Sequence, residues 1–518
     1  MSKNLEKSKE KISQIIFGRT IIILMLFGIQ ILILMGMFSW MSESINYIFG
    51  GFTLLSTLVI VYIINSPSNP NFKLAWVIPI MVIPVFGTLF YIYVQTGIGA
   101  RLMAKNLRRI FANTRHMLVQ DEEALREVEA QDPNVARLTR YLNNTSGYPI
   151  YKNSNAKYYP IGEEVFEEMV KQLKTAKHFI FMEYFIIESG IMLDTIQKIL
   201  EDKVREGVEV RFMYDGMVSL AQMPNSYVDE LNKLGIHAKQ FSPIKPILST
   251  SYNNRDHRKI LVIDGRVAFT GGINIADEYI NKRKRFGHWK DNGIMIRGDA
   301  VKSFTLMFLQ MWNVDENVPE DYERYLRVPH GNDDCDGYVM PYGDSPLDNE
   351  RIGENIYLDI IANAKKYVHI MTPYLILDDG MVSALAFAAK SGVDVKIIMP
   401  HIPDKWYAYA LARTYYEDLI RSGVKIYEYT PGFVHSKVFV SDGAKATVGT
   451  VNLDYRSLYL HFENGVYLFG GDAVREVEHD FSETLKRSHL ITAEEASKLS
   501  IGQKFVGRFV LRLFAPLL

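Results

Sequence analysis

The chain has 518 residues, a formal net charge of −1 and one cysteine. Near-neutral charge argues against a dedicated nucleic-acid binder, whose affinity rests largely on neutralising phosphates with Lys and Arg. A single cysteine excludes a disulfide within the chain, and the length predicts several domains.

Residues 1–100 form a strongly apolar N-terminal region with three uncharged or nearly uncharged runs, at about 21–40, 45–64 and 74–94. Each is close to the roughly 20 residues that a helix needs to cross a bilayer core. The first run is too long for a cleaved signal peptide, and a second follows almost at once. Basic residues flank the region on both sides, from Lys3 to Arg19 and from Arg101 to Arg115. Both flanks therefore favour the cytoplasmic side. Pro79, Pro84 and Gly87 interrupt the third run. The expectation is two full spans, with 74–94 re-entrant or interfacial. That makes a multi-pass protein of the cell membrane with its catalytic region on the cytoplasmic face. Three spans with that region outside is the alternative.

Residues 101–149 read as a helical connector, basic and then acidic, whose start suits anionic headgroups or a solvated helix face. From about residue 150, strand and helix patterns alternate twice. Phe179–Ile187, a helix near 194–206 and Val208–Met213 are matched by Tyr367–Met371, a helix near 380–391 and Val393–Ile398. Gly207 and Gly392 occupy equivalent helix-to-strand turns. The class is α/β, with two similar halves, 150–330 and 331–500, each holding a mixed or parallel sheet flanked by helices. Cys335 lies in a polar stretch near the boundary and reads as a loop residue. In the tail, 501–518, Lys504, Arg508 and Arg512 recur every fourth position beside Phe505, Phe509 and Leu513. This is a basic amphipathic helix, suited to a membrane surface or to the protein's own core.

The chemistry sits in a duplicated motif. His257-Arg-Lys259, with Asp264 and Gly271-Gly-Ile-Asn274, recurs as His435-Ser-Lys437, with Asp442 and Gly449-Thr-Val-Asn452. On a strand, residues two apart share a face, so each His and Lys point the same way. Imidazole is a nucleophile and an acid–base near neutral pH, and one His can form a phosphohistidine while the other moves protons. Lys259 and Lys437 can neutralise non-bridging oxygens, and Asn274 and Asn452 can donate to them. No metal or cofactor is required. Asp264 and Asp442 complete the motif as catalytic candidates, although their strand-end positions also suit turn-capping carboxylates. A nucleophilic His needs its second nitrogen held. The candidates are Asp291, 34 residues after His257, and Glu463, 28 after His435. Each would thus serve its own half. Glu183, Tyr184 and Tyr374 are further candidates for substrate contact, whereas His288, His401 and His461 lie near the motifs without metal-ligand spacing.

At these residues the chain resembles the phospholipase D superfamily, with its paired HKD motif. Gly449–Glu463, Thr270–Asn274, Trp289-Lys-Asp291 and Met371-Thr-Pro-Tyr374 are similar to segments of the bacterial cardiolipin synthases within it. The resemblance implies a bilobed fold with one site between the halves. It also implies His257 as nucleophile, His435 as acid–base, and the two Lys and two Asn as phosphate ligands. The substrates would be two phosphatidylglycerol molecules, giving cardiolipin and glycerol at a membrane rich in anionic lipid. Gly272 departs from the family, where Ser is frequent, which would remove one hydroxyl near the phosphate. A hydrolytic phospholipase D would use the same residues. A nuclease, or a scaffold with a dead site, fits the apolar N-terminus or the intact motifs poorly.

Overall fold

The computed structural model describes residues 21, 23–32, 43–95, 98–217, 222–224, 226–242, 253–316, 320–328, 335–348, 350–498 and 511–517. The first half contains strands β1 (Ser154–Tyr159), β2 (Phe179–Tyr184), β3 (Glu209–Asp215), β4 (His237–Phe241), β5 (Ile260–Ile263), β6 (Val267–Gly271), β7 (His288–Lys290) and β8 (Gly293–Gly298). The second contains β9 (Tyr338–Asp344), β10 (Tyr367–Met371), β11 (Asp394–Pro400), β12 (Lys425–Tyr429), β13 (Gly432–Val434), β14 (Val438–Ser441), β15 (Lys445–Gly449), β16 (Glu463–Phe469) and β17 (Ser488–Leu490).

The two sheets have matching orders, β1-β8-β6-β5-β2-β3-β4 and β17-β12-β11-β10-β14-β15-β16-β9, the second read from its opposite edge. In each, three strands are parallel, β2–β4 and β10–β12. The motif strands β5 and β14 join β2 and β10 antiparallel. Both sheets are therefore mixed. β2 is buried at every residue, which explains its apolar run, broken only by the buried Glu183: helices cover both faces. Gly207 and Gly392 do turn helix into strand, at φ of 88° and 95°, where a side chain would be strained.

The halves share a core. Helices Val301–Trp312 and Asp472–Lys486 lie between the sheets, in one apolar cluster with Phe181, Val262, Met371 and Val440. Phe308 stacks on Phe181 at 4.7 Å and on Trp312 at 5.6 Å. The outer helices of each half bury separate clusters. The layering is helices, sheet, helices, sheet, helices.

The third apolar run is not one helix. Pro70–Val82 and Pro84–Gln95 fold back on each other, bringing Trp76 within 5.9 Å of Phe90 and 5.2 Å of Tyr91. Gly87 permits the turn, since a Cβ there would meet the Ile80 backbone at 2.8 Å. At 1.5 Å per residue each arm is about 20 Å or less, short of the ~30 Å bilayer core. The second run forms Glu43–Asn65, with side chains described from Gly50 onward; of the first, 33–40 lie outside the described residues. Among the described residues no helix is long and apolar enough to cross a membrane.

The hairpin is fixed to the second half. Asn69 caps its first helix and donates to Asp378 at 3.1 Å and Tyr459 at 2.9 Å, and Asn71 donates to Tyr455 at 2.6 Å. The connector is helical over Ile98–Thr114, Glu122–Gln131 and Pro133–Ser146. Asp121 and Asp132 cap the last two of these, and Leu107 and Ile110 are buried. In the tail, 499–510 and 518 lie outside the described residues. Arg512 donates to Thr414 Oγ1 at 3.0 Å and to its carbonyl at 2.8 Å, and Ala515 is buried. This end of the tail packs on the protein itself.

Asp264 and Asp442 are not at a reacting centre. Both adopt left-handed backbone, at φ of 53° and 55°. Asp264 accepts from the N–H groups of Lys177, His178 and Phe179, and Asp442 from those of Lys365, Lys366 and Tyr367, all within 3.0 Å. Each carboxylate ties the entry of the neighbouring strand to the turn after the motif strand, a strand's length from its own His. Asp264→Ala loses three acceptors and strains the backbone, and should lower stability by about 2–4 kcal/mol in urea unfolding. Asp264→Asn should cost less, and turnover per folded molecule should stay near that of the native chain.

Candidate active site

Both motifs enter the site by pairing across the halves. The His257 N–H donates to the Phe462 carbonyl at 2.9 Å, and Asp256 bridges Phe462. The His435 N–H donates to the Lys290 carbonyl at 2.7 Å, continuing the parallel pair β13–β7. Each backbone bond places the next residue of the opposite strand beneath the imidazole. For His257 this is Glu463, whose Oε2 is 2.8 Å from Nδ1; for His435 it is Asp291, whose Oδ2 is 2.6 Å from Nδ1. The pairing within each half that similar offsets suggested is therefore corrected: each carboxylate serves the other half's histidine.

These contacts fix the chemistry of the rings. With Nδ1–H directed at a carboxylate, Nε2 keeps its lone pair, the form that a nucleophile or base needs. Burial, with Lys259 and Lys437 close by, holds both imidazoles neutral, His257 well below its ordinary value and His435 at about 4. Burial alone would raise the two acids. His435 and Lys437 nevertheless hold Asp291 low, and His257 and His461 hold Glu463 lower still.

The two supports are built differently. Thr450 Oγ1 donates to Glu463 Oε2. Its counterpart Gly272 lies against Asp291, and a Cβ there would overlap Asp291 Oδ1. Position 272 thus faces the carboxylate rather than a phosphate, and glycine gives Asp291 its room. Asn292 N–H and the Trp289 indole reach Asp291 instead, at 2.9 and 3.5 Å.

Lys259 donates to the His257 carbonyl at 2.6 Å and lies over the Phe185 ring. Lys437 donates to the His435 carbonyl, and its Nζ is 3.0 Å from His435 Nε2. Burial lowers the two ammoniums to about 7 and about 8. Asn274 accepts from the Ile186 N–H at 3.0 Å and donates to Tyr279 OH at 2.7 Å, leaving one amide hydrogen for a ligand. Asn452 Oδ1 is buried without a hydrogen-bond partner among the described residues.

Of the other candidates, Glu183 is fully buried 2.5 Å from Arg258, and burial raises it well above its usual range. Tyr184 is core, and Tyr374 donates to Asp404 at 2.6 Å. Three groups have contacts in the site that the sequence did not reveal. Asn464 accepts from the Lys259 N–H at 3.3 Å and donates to Thr270 at 2.9 Å. Its signal was the repeated acid–Asn pair, Asp291-Asn292 and Glu463-Asn464. The His461 ring lies 5.4 Å from that of His257, with Nδ1 3.6 Å from Glu463 Oε1. Tyr279, Trp289 and Phe433 wall the His435 ring at 5.5, 5.3 and 5.8 Å. His257, His461 and Glu463 could gather round an ion, their ligand atoms lying within 4.8 Å of one another, but Glu463 is already spent on His257.

Two lone-pair nitrogens and two ammoniums in a dry pocket suit attack on a phosphodiester anion, whose charge the lysines offset. Both ammoniums must be protonated for this, and each is protonated below its own pKa. For phosphodiester turnover, kcat/KM, which reports the free enzyme, should therefore fall as pH rises through about 7 to about 8. A profile flat to about pH 9 would show that the lysine charges are not needed.

Comparison with known proteins agrees with this geometry. The family model "Cardiolipin synthase, PLD-like domain" matches residues 169–312 and 357–485, and a phospholipase D-nuclease N-terminal model matches 54–94. The chain is 34% identical to a cardiolipin synthase of Alkalihalophilus pseudofirmus, over 93% of this chain and 95% of that one. It is 35% identical to cardiolipin synthase 2 of Bacillus cereus, over 90% and 91%. An uncharacterised protein of Streptococcus mutans is 50% identical over 89% of this chain and 99% of its own. Among solved structures, a phosphatidylserine synthase of Haemophilus influenzae is similar in fold, with a TM-score of 0.56 at 15% identity, covering 74% of this chain and 99% of that one. With a repeated His-x-Lys motif, matched domains in both halves and relatives aligned along nine-tenths of its length, the chain belongs to the PLD-like cardiolipin synthase family.

Proposed function

We propose that the protein is a cardiolipin synthase that transfers a phosphatidyl group between two phosphatidylglycerol molecules. The observation that carries this reading is the pair of crossed histidine–carboxylate contacts, His257–Glu463 and His435–Asp291, in a chain aligned over at least 90% of its length with cardiolipin synthases. His257 Nε2 attacks the phosphorus of the first lipid, and the bond to glycerol breaks. His435 gives that glycerol its proton. Before substrate enters, Lys437 and burial keep His435 neutral; a phosphodiester anion offsets Lys437, so the ring takes up a proton on binding. The second phosphatidylglycerol then presents its headgroup hydroxyl to the phosphatidyl-His257 intermediate, and His435 takes the hydroxyl proton back. Cardiolipin leaves, and both rings return to their starting state. Two phosphodiesters replace two, so no nucleotide is consumed. Lys259, Lys437, Asn274 and Asn452 hold the phosphate oxygens in this reading.

The proposed setting is the cell membrane, with the N-terminal helices in or on the bilayer and the catalytic halves on its cytoplasmic face. Leu54, Leu58, Tyr62, Met81 and Val82 are large apolar side chains on these helices that stand exposed. Such a patch on a soluble surface is costly, and lipid would cover it. Basic residues on both flanks favour the cytoplasmic placement. Anchoring the site where both substrates reside raises encounter frequency and limits water as a competing acceptor.

Purified protein in phosphatidylglycerol vesicles should form cardiolipin with one glycerol per molecule, and His257→Ala should lower the rate at least about 10³-fold. Phosphatidic acid as the main product would assign water as acceptor and replace this reading with hydrolysis. An acid-quenched digest should carry the phosphatidyl adduct on the His257 peptide; an adduct on His435 would exchange the two roles.

A further inference from the structure

The two histidines have different neighbours. Tyr279, Trp289 and Phe433 close around His435, whereas His257 adjoins Phe185 and His461, and His461 lines a cavity of about 490 Å³. This cleft lies between the N-terminal helices and the second half. Ile63, Phe72, Trp76 and Tyr91 bound it on one side, and Leu458 and Leu460 on the other. Its size falls within the roughly 300–1,000 Å³ usual for small-ligand sites. It is not an accidental gap between loosely placed parts. Asn69 and Asn71 bond across it to Asp378, Tyr459 and Tyr455, and Phe72 meets Tyr455 and Tyr459 edge-on at 5.8 and 5.7 Å. The helices that form its outer wall carry the exposed apolar side chains described above, Leu54, Leu58 and Met81 among them. The cleft thus lies between helices that carry exposed apolar side chains and His461, whose ring is 5.4 Å from that of His257.

We propose that this cleft holds the diacylglycerol part of the phosphatidyl group while its phosphorus is on His257, in both half-reactions. The proposal rests on the transferase reading above. A phosphodiester at His257 has its diacylglycerol oxygen directed away from the nitrogen–leaving-group axis. Three aromatic rings surround the His435 imidazole, whereas His257 has Phe185 at 4.8 Å and His461 beside it, and from His461 the cleft continues to the N-terminal helices, lined by apolar side chains together with Lys73, Asp344, Glu350 and Arg351. The polar headgroup of the acceptor, which brings only a hydroxyl to the phosphorus, needs no such passage at the reacting centre.

The test compares dioleoyl-phosphatidylglycerol in vesicles with soluble dihexanoyl-phosphatidylglycerol, for the native chain and for Ser68→Trp and Gln95→Trp. Both positions are exposed and line the cleft, so a large side chain there narrows it without entering the core. Each variant should lose at least about tenfold more cardiolipin formation with the long-chain lipid than with the short-chain one, because only the long chains use the cleft. A phosphatidylglycerol with a photoreactive acyl chain should label peptides spanning 63–76 or 458–461. Equal losses with both lipids, or none with either, in a native chain that does make cardiolipin would overturn the cleft assignment. If the native chain makes no cardiolipin, the transferase reading fails instead, and the photolabel alone decides the cleft: label in those peptides supports it, and label elsewhere removes it.

Discussion

The exchange of carboxylates between the halves is the contact on which the site depends. A lone histidine on a strand has no preferred tautomer and no fixed ring plane. Here Glu463 holds His257 and Asp291 holds His435, and both acids are fully buried. Neither half contains a working imidazole without the other. The backbone bonds from His257 to Phe462 and from His435 to Lys290 make the exchange obligatory, because they bring the acid-bearing strands alongside the motifs. The shared core follows from the same constraint. A site split between two lobes joined only at a rim would lose its geometry with every hinge motion, whereas helices Val301–Trp312 and Asp472–Lys486 fill the space between the sheets with packed apolar side chains.

The pseudo-symmetry of fold is broken where the chemistry needs two roles. Thr450 supports Glu463, whereas Gly272 makes room for Asp291. Three aromatic rings surround His435, whereas Phe185 and His461 adjoin His257, and His461 in turn lines the cleft. Two chemically similar and equally buried histidines are thereby given different neighbours. Duplication supplies two copies of the His-x-Lys strand, and in the proposed reaction divergence around them supplies direction.

The N-terminal helices belong to the same design. The third apolar run breaks at Pro84, Pro79 being accommodated inside its first arm, and Gly87 lets the two arms pack closely. The hairpin is then pinned by Asn69 and Asn71 to the helices beside β16 and β10. It forms one wall of the cleft as well as exposing apolar side chains, so in the proposed reading anchoring and substrate access share one element.

The sequence by itself determined the duplicated α/β halves, the glycine turns at 207 and 392, the break near Pro84, and the histidines and lysines of the site. These follow from local rules: strand periodicity, turn chemistry, proline's missing N–H, and a motif repeated at fixed spacing. It also named both orienting acids, but assigned them by distance along the chain, which carries no information about which strands meet. Only the tertiary structure decided that Glu463 serves His257 and Asp291 serves His435. It likewise turned Asp264 and Asp442 into strand-entry ties, because three converging N–H groups from a segment more than 70 residues away cannot be seen in a local pattern. His461, Asn464 and the cleft came from the same source. Each is defined by what another part of the chain places beside it, and long-range packing, not residue type, fixes those neighbours.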